Sequence, residues 1–228
     1  MSKTTAPAAQ RSTYRHGDLQ RALLDAGIDL ARGGGPAAVT LREATRRAGV
    51  VPNAAYRHYA SRDALLQAVR RAALAALAVA IEDQLARLRT TADAAASARA
   101  SLRAVGSGYL KFARTEPGLF RTAFSVPDAL QGAAVAEKAG ASGLNPFQLL
   151  GAALDRFVDA GLLPPQRRLG AEYLAWSAVH GLAMLIIDGP LRAMSPSQQT
   201  LVLQRLLDMV EQGLVTPEGA AAVTAGRK

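Results

Sequence analysis

Within Thr40 to Arg62, TLREATRRAGVVPNAAYRHYASR, the side chains with something to offer a partner fall into two sets. Val51, Pro52, Asn53 and Ala54 lead a short helix, the place from which side chains reach base edges. Asn53 has the donor and acceptor pair that suits adenine, and Val51 or Pro52 suits a thymine methyl. Thr40, Arg42, Tyr56, Arg57, His58 and Arg62 carry hydroxyl, phenol, guanidinium and imidazole groups, all partners for phosphate oxygens. Plainer readings stand beside these: Asn53 as a solvent-facing polar residue at a helix start, and His58 as a packing group against the next helix.

A second set lies downstream. Trp176 and His180 are four apart and share a helix face, where they can line a cavity with His180 offering one hydrogen bond. A satisfied core histidine beside a packed indole is the plainer alternative. Tyr109, Phe112, Phe120 and Phe124 cluster in a chain with only 5% aromatics, as cavity walls or as ordinary core. No cysteine is present, and His16, His58 and His180 are too scattered to propose a metal site. There is no phosphate-binding loop, zinc helix or nucleophile elbow, so neither a cofactor nor an enzymatic function is expected.

The elements that must position these residues are all helical. Thr40 and Glu43 have capping-box spacing, so a helix starts at Thr40, and Gly49 stops it. Pro52 suits a first helical position, which predicts a second helix from there to about Tyr59. Ahead of them, Leu19, Ala22, Leu23, Ala26 and Leu30 predict a helix over 17–32 that ends at Gly33-Gly34-Gly35-Pro36 and completes a three-helix core. Ser61 and Asp63 open a long helix reaching about Leu88, a physical link out of this small unit.

Beyond it, helical patterns are predicted over Ala94 to Arg114, from Asn145-Pro146 to near Gly161, from near Arg167 and from Ser195-Pro196, with a short aromatic-rich turn or helix over Pro117 to Phe124. Val126 to Gly143 reads as containing a mobile loop. Leu174 to Ile187 is apolar on nearly every face and must be covered on both sides. It falls short of a membrane span and contains His180, so it reads as a buried helix. The last helix has a stripe of Leu203, Leu206, Leu207, Val210 and Leu214. No strand alternates convincingly, and the expectation is an all-α chain of about nine helices.

With 228 residues, half of them hydrophobic, the chain can bury a substantial core without disulfides. Its net charge is +9, and residues 1–62 hold ten Lys or Arg against four Asp or Glu. Charge concentrated on a helix-turn-helix end points to a polyanion. The domain reading is a disordered basic arm over 1–15, a helix-turn-helix unit over 16–62, an effector-binding and dimerisation unit over 63–216 and a flexible tail over 217–228. With no secretory signal and no expected membrane partner, the reading is cytoplasmic.

The sequence resembles the TetR family of one-component transcriptional regulators. The resemblance is carried by Thr40-Leu41-Arg42-Glu43, Ala48-Gly49-Val50, Ala55-Tyr56-Arg57-His58-Tyr59 and Ser61-Arg62-Asp63-Ala64-Leu65. Trp176, His180 and Gly181 in WSAVHG are similar to the Trp-His-Gly pattern of one subgroup of its C-terminal domains. The chain departs from the usual pattern at Val51-Pro52-Asn53, where a Ser or Thr often opens the recognition helix, and at Arg62, where lysine is frequent. The resemblance implies a homodimer, joined through its C-terminal helices, that binds a palindromic double-stranded DNA operator and a small-molecule effector, most often as a repressor. A recognition helix of about seven residues reads only a few base pairs, which also argues for two copies. An effector-independent architectural DNA-binding protein is the competing reading. It predicts steep salt dependence and little sequence preference.

Overall fold

A computed structural model describes residues 16–125 and 138–215. The expected arm over 1–15, much of the expected loop within 126–143 and the expected tail over 217–228 lie outside the described residues. Among the described residues the chain is all-α, as expected, with ten α-helices against the expected nine or so, and one short 3-10 turn at Pro190–Ala193. They are α1 (His16–Ala38), α2 (Leu41–Ala48), α3 (Pro52–Ala55), α4 (Arg62–Leu85), α5 (Ala94–Thr115), α6 (Pro117–Ala123), α7 (Pro146–Asp159), α8 (Pro165–Arg168), α9 (Ala171–Ile187) and α10 (Pro196–Leu214).

α1 packs against α2, α4 and α6, so the small N-terminal unit is built on the face that carries Leu23, Ala26 and Leu30. The helix does not stop at Gly33. It runs through Gly34 to a kink at Gly35, where φ is 66°, and Pro36 lies inside the last turn. The extension has a cause in packing: Gly118 of α6 lies against the carbonyls of Ala31 and Arg32, supporting the end of α1 from outside. Arg32 adds ion pairs to Glu116 at 2.9 Å and to Asp29 at 2.8 Å.

α4 is the shared beam of the fold, packing on α1 at one end and on α5, α6 and α7 beyond it. Ser61 caps it, accepting the Ala64 N–H at 3.1 Å. Among the described residues it is also the one helix long and apolar enough to cross a membrane. Yet 44% of its most apolar stretch is buried inside the protein, and Leu65, Val69, Leu77 and Ile81 are core residues. The apolarity of α4 is therefore used in packing. α5 continues unbroken through Gly106 and Gly108; a Cβ at Gly108 would stand 2.7 Å from Ile81 Cα, so glycine there lets α4 and α5 approach closely. Phe120 and Phe157 are fully buried, each contributing about 2–3 kcal/mol of hydrophobic stabilisation.

Complete capping boxes open two of the later helices: Asn145 with Gln148 at α7, and Ser195 with Gln198 at α10. Each such cap stabilises its helix by about 1 kcal/mol. The expected helix from Arg167 divides instead into α8 and α9 at Leu169-Gly170, where Gly170 has φ 78°. α9 departs from expectation in its surroundings too. Ala175, Val179, Leu182 and Ile186 are buried, but Leu174 is 69% exposed and Leu185, on the same side, is exposed as well. A single chain covers only one side of this apolar helix.

Candidate DNA-binding face and ligand cavity

α2 starts where Thr40 Oγ1 accepts the Glu43 N–H at 3.3 Å. The reciprocal half of the expected capping box is replaced. The Glu43 carboxylate takes Arg46 Nη2 at 2.6 Å, Arg46 Nε at 2.8 Å and Arg47 Nε at 3.3 Å, and the hydrogen bonding of Arg46 holds its pKa down to about 2. Two forked guanidinium groups outcompete one neutral N–H for a carboxylate. Gly49 then turns the chain with φ 68°.

α3 is four residues long, shorter than the expected helix to Tyr59. Its last turn tightens because the N–H groups of His58 and Tyr59 both reach the Ala55 carbonyl at 2.9 Å. Tyr59 thereby enters the core beside Ala55. Val51, the N-cap of α3, is 69% exposed and Tyr56 is 56% exposed. Asn53 and Arg57 are also exposed, while Ala54 and His58 are half-buried; Pro52 opens the helix. The helix thus hides one side and shows Val51, Asn53, Tyr56 and Arg57.

The cations of this face differ in what occupies them. Arg46 and Arg47 are held by Glu43. Arg62 donates to the carbonyls of Val39 at 2.9 Å and Pro36 at 2.7 Å, fastening the start of α4 to the turn ahead of α2. Its nearest acid is Asp63 at 3.6 Å. Arg42 and Arg57 are exposed. Sequence spacing alone could not separate these roles.

The second site is a cavity of about 430 Å³ among α4, α5, α6, α7, α9 and α10, within the size range of small-molecule sites. Of the six aromatic-cluster residues named from sequence, Tyr109, Phe124, Trp176 and His180 line it. Phe112 and Phe120 sit behind the wall in the core. Phe120 stacks on the His180 ring at a centroid separation of 5.5 Å, and Phe124 meets that ring edge-on at 4.9 Å.

Trp176 Nε1–H donates to the Tyr109 hydroxyl at 3.0 Å, and that hydroxyl lies 2.7 Å from His180 Nδ1. Burial pushes the Tyr109 phenol far above its ordinary pKa, so it stays protonated. With its oxygen accepting from Trp176, giving its single proton to His180 Nδ1 is the arrangement that satisfies all three groups, and it makes the histidine the Nε2–H tautomer. Sequence spacing anticipated the pairing of Trp176 with His180 but missed Tyr109 as the atom between them.

Burial also depresses the His180 pKa below 6.5. As pH falls below that value, the unfolded chain binds a proton that the native fold resists, so His180 removes stability at lower pH. Melting temperature followed from about pH 7.5 to about pH 5.5 should fall more steeply in the wild type than in His180→Asn, which keeps an acceptor for Tyr109. Parallel profiles would show that His180 is not the titrating group.

Other lining residues were not anticipated. Arg70 is one: only 4% exposed, it falls in register with the buried stripe Leu66, Ala73 and Leu77 of α4. A charged residue in that register was the available signal. Lys138, Asn145 and Phe147 also contribute; their positions depend on long-range packing that spacing does not encode.

One long helix and two short ones that bare α3 and its leading turn, joined to a helical body around a ligand-sized cavity, have the make-up of a helix-turn-helix DNA-binding protein. The sequence matches the profile of bacterial regulatory proteins of the tetR family over residues 23–69 and that of the tetracyclin repressor-like C-terminal domain over residues 102–210. The chain belongs to the TetR family, sequence-specific DNA-binding regulators that are generally ligand-responsive repressors and not enzymes. Among the described residues no group of three His, Asp or Glu could hold a metal.

Among solved structures, a protein of unknown function from Rhodococcus sp. RHA1 is 24% identical, with TM-score 0.70 over 90% of this chain and 100% of that one. A TetR family transcription regulator from Marinobacter aquaeolei VT8 is 18% identical, with TM-score 0.59 over 86% of this chain and 95% of that one. A TetR variant from Acinetobacter baumannii AYE in complex with minocycline is 17% identical, with TM-score 0.53 over 84% of this chain and 93% of that one. At these identities the likeness is one of fold. No curated protein matches the sequence significantly.

Proposed function

We propose that this protein is a cytoplasmic repressor that binds a palindromic operator as a homodimer and is released when a small molecule fills the cavity. The observation that carries the reading is the path between the two sites. Phe120, midway along α6, and Phe124, at its end, touch the His180 ring, and Gly118, in its first turn, touches the carbonyls closing α1. Arg121 also pairs with Asp188 at 2.6 Å, tying α6 to the end of α9. A ligand that prefers one seating of α6 shifts the DNA-binding unit by as much as its affinity differs between the two states. A cavity coupled in this way favours effector control over the architectural alternative.

In this reading residues 16–62 form the DNA-binding unit and residues 63–216 the effector and dimer unit, with a C-terminal domain of the Trp-His-Gly subgroup. The dimer face would be the bare sides of α9 and α10, where Leu174, Leu185, Leu201 and Met209 are exposed; a second copy supplies the cover that α9 lacks. Val51, Pro52, Asn53 and Ala54 face base edges. Thr40, Arg42, Tyr56, Arg57 and His58 meet phosphate, and Arg62, with two nitrogens already engaged, adds less.

The test is binding of the purified protein to a labelled intergenic fragment from beside its gene, against random DNA at physiological salt. Equal affinity for both would overturn the repressor reading. Within it, Asn53→Ala should lose about 1–3 kcal/mol of discrimination at one base position. Arg57→Ala should weaken binding to all sequences and reduce the salt slope by about one per subunit. Identical effects from the two variants would overturn this division of roles.

A further inference from the structure

The geometry points to a neutral carbonyl compound as the cavity's ligand, an apolar or aromatic body whose C=O accepts the Nε2–H of His180. The inference rests on the effector reading above and names the chemistry of the effector.

The hydrogen-bonding capacity of the polar wall is almost spent, and what is left over donates. Trp176 Nε1–H is used on Tyr109 and the Tyr109 proton on His180 Nδ1, so the imidazole keeps its Nε2–H for the cavity. Phe120 stacks on that ring and Phe124 meets it edge-on, which fixes its orientation. Asn145 Oδ1 accepts the Gln148 N–H at 2.9 Å, so the amide nitrogen is the half left over, a second donor on the lining. Arg70 already donates to Gln67 Oε1 at 2.6 Å, and neither it nor Lys138 is without a partner, so their charges do not call for an anion. Ser177 spends its proton on the Tyr173 carbonyl at 2.6 Å and stands at the exposed edge of α9. Among the described lining residues there is no Asp or Glu to hold an ammonium group.

These groups rank the classes of ligand. A carboxylate would leave water with no unmet cation to receive it, and an amine with no carboxylate. An alcohol accepts from His180 as a ketone does, but it brings an O–H of its own into a wall of donors and hydrocarbon, where an unmade hydrogen bond is costly. A hydrocarbon leaves the Nε2–H unmet. A carbonyl accepts and has nothing to donate, and the rest of the wall, with Leu74, Ile81, Phe124 and Phe147, suits the body that carries it.

The experiment compares four probes of one shape on the full-length protein by calorimetry at neutral pH: benzylacetone, the alcohol and the amine that correspond to it, and phenylpropanoate, in which a carboxylate replaces the acetyl group. The ketone should bind about 3- to 10-fold more tightly than the alcohol, the range that one net hydrogen bond is worth, and the charged probes more weakly than either. A second reading needs no variant. The chain has three histidines, so with nitrogen-labelled histidine the His180 Nε2 proton can be followed by NMR. It should move downfield as the ketone saturates, while Nδ1 stays unprotonated. An alcohol or charged probe that matches the ketone overturns the inference, as does the absence of saturable ketone binding or an Nε2 proton that the ketone does not move.

Operator affinity measured with each probe separates the two levels. A charged probe that binds best and releases DNA keeps the effector reading and sinks the carbonyl. A ketone that binds selectively without changing DNA affinity does the reverse.

Discussion

Gly118→Ala should lower the melting temperature by about 10 °C and loosen the N-terminal unit from the rest of the protein. The added Cβ would fall inside contact distance of the Ala31 and Arg32 carbonyl oxygens and 2.9 Å from the Arg32 carbonyl carbon. Those atoms are backbone, so no rotamer change relieves the overlap, and α6 must retreat. Overpacking typically costs about 1–3 kcal/mol, and an immovable neighbour puts this case at about 3; for a chain of this size each kcal/mol is worth about 2–4 °C. The same retreat would weaken the Arg32–Glu116 pair and uncouple effector binding from operator release. Gly33→Ala is the matched control: it lies in α1 with nothing within 4 Å of an added Cβ, so it should be neutral or stabilising by up to about 1 kcal/mol. If the two variants melt together, α6 does not dock on α1 as described.

That contrast also marks what was legible in the sequence. Gly33 and Gly118 look alike as letters, and the run of glycines before Pro36 reads as a helix end. Only the neighbour distinguishes them, because α6 arrives from more than eighty residues away to hold the end of α1. Local signals were read well where the cause was local: Thr40, Ser61, Asn145 and Ser195 each cap the helix they were expected to open. Glu43 failed as a reciprocal cap because two arginines one turn away offered it more.

The two sites differed in the same way. The exposure of the proposed DNA-binding face was legible because its geometry is set within about twenty residues, and a short helix must bury Ala55 and Tyr59 and so show Asn53 and Arg57. What spacing missed there was the occupancy of the cations, above all Arg62, whose partners Pro36 and Val39 lie on a different element. The cavity was half legible. Scarce aromatics picked out Tyr109, Phe124, Trp176 and His180, yet the same reasoning swept in Phe112 and Phe120, since spacing does not separate a wall from what stands behind it. Arg70 escaped because α4 was read from its Ser61 and Asp63 start and its length, with no buried face assigned along it.

Tyr109→Phe should destabilise the protein by about 2–4 kcal/mol although it keeps the shape of the core. It opens no cavity, so the cost comes from Trp176 Nε1–H and His180 Nδ1, which lose their common partner at once. A buried polar group left unmade costs about 1–3 kcal/mol, reduced where cavity water can reach. A second consequence separates this variant from a merely weakened core. Tyr109 donates to the neutral form of His180 and so adds to the burial that depresses its pKa; without that bond the pKa should move toward its ordinary value, and the loss of stability below that value should be smaller and end at higher pH. Combining the change with His180→Asn should give a cost smaller than the sum, because both substitutions break the same contact. Strict additivity, or a His180 titration unmoved in Tyr109→Phe, would mean that the three side chains only share a wall. A non-additive cost with a shifted titration would establish a preorganised relay that fixes which atom of His180 the cavity's occupant meets.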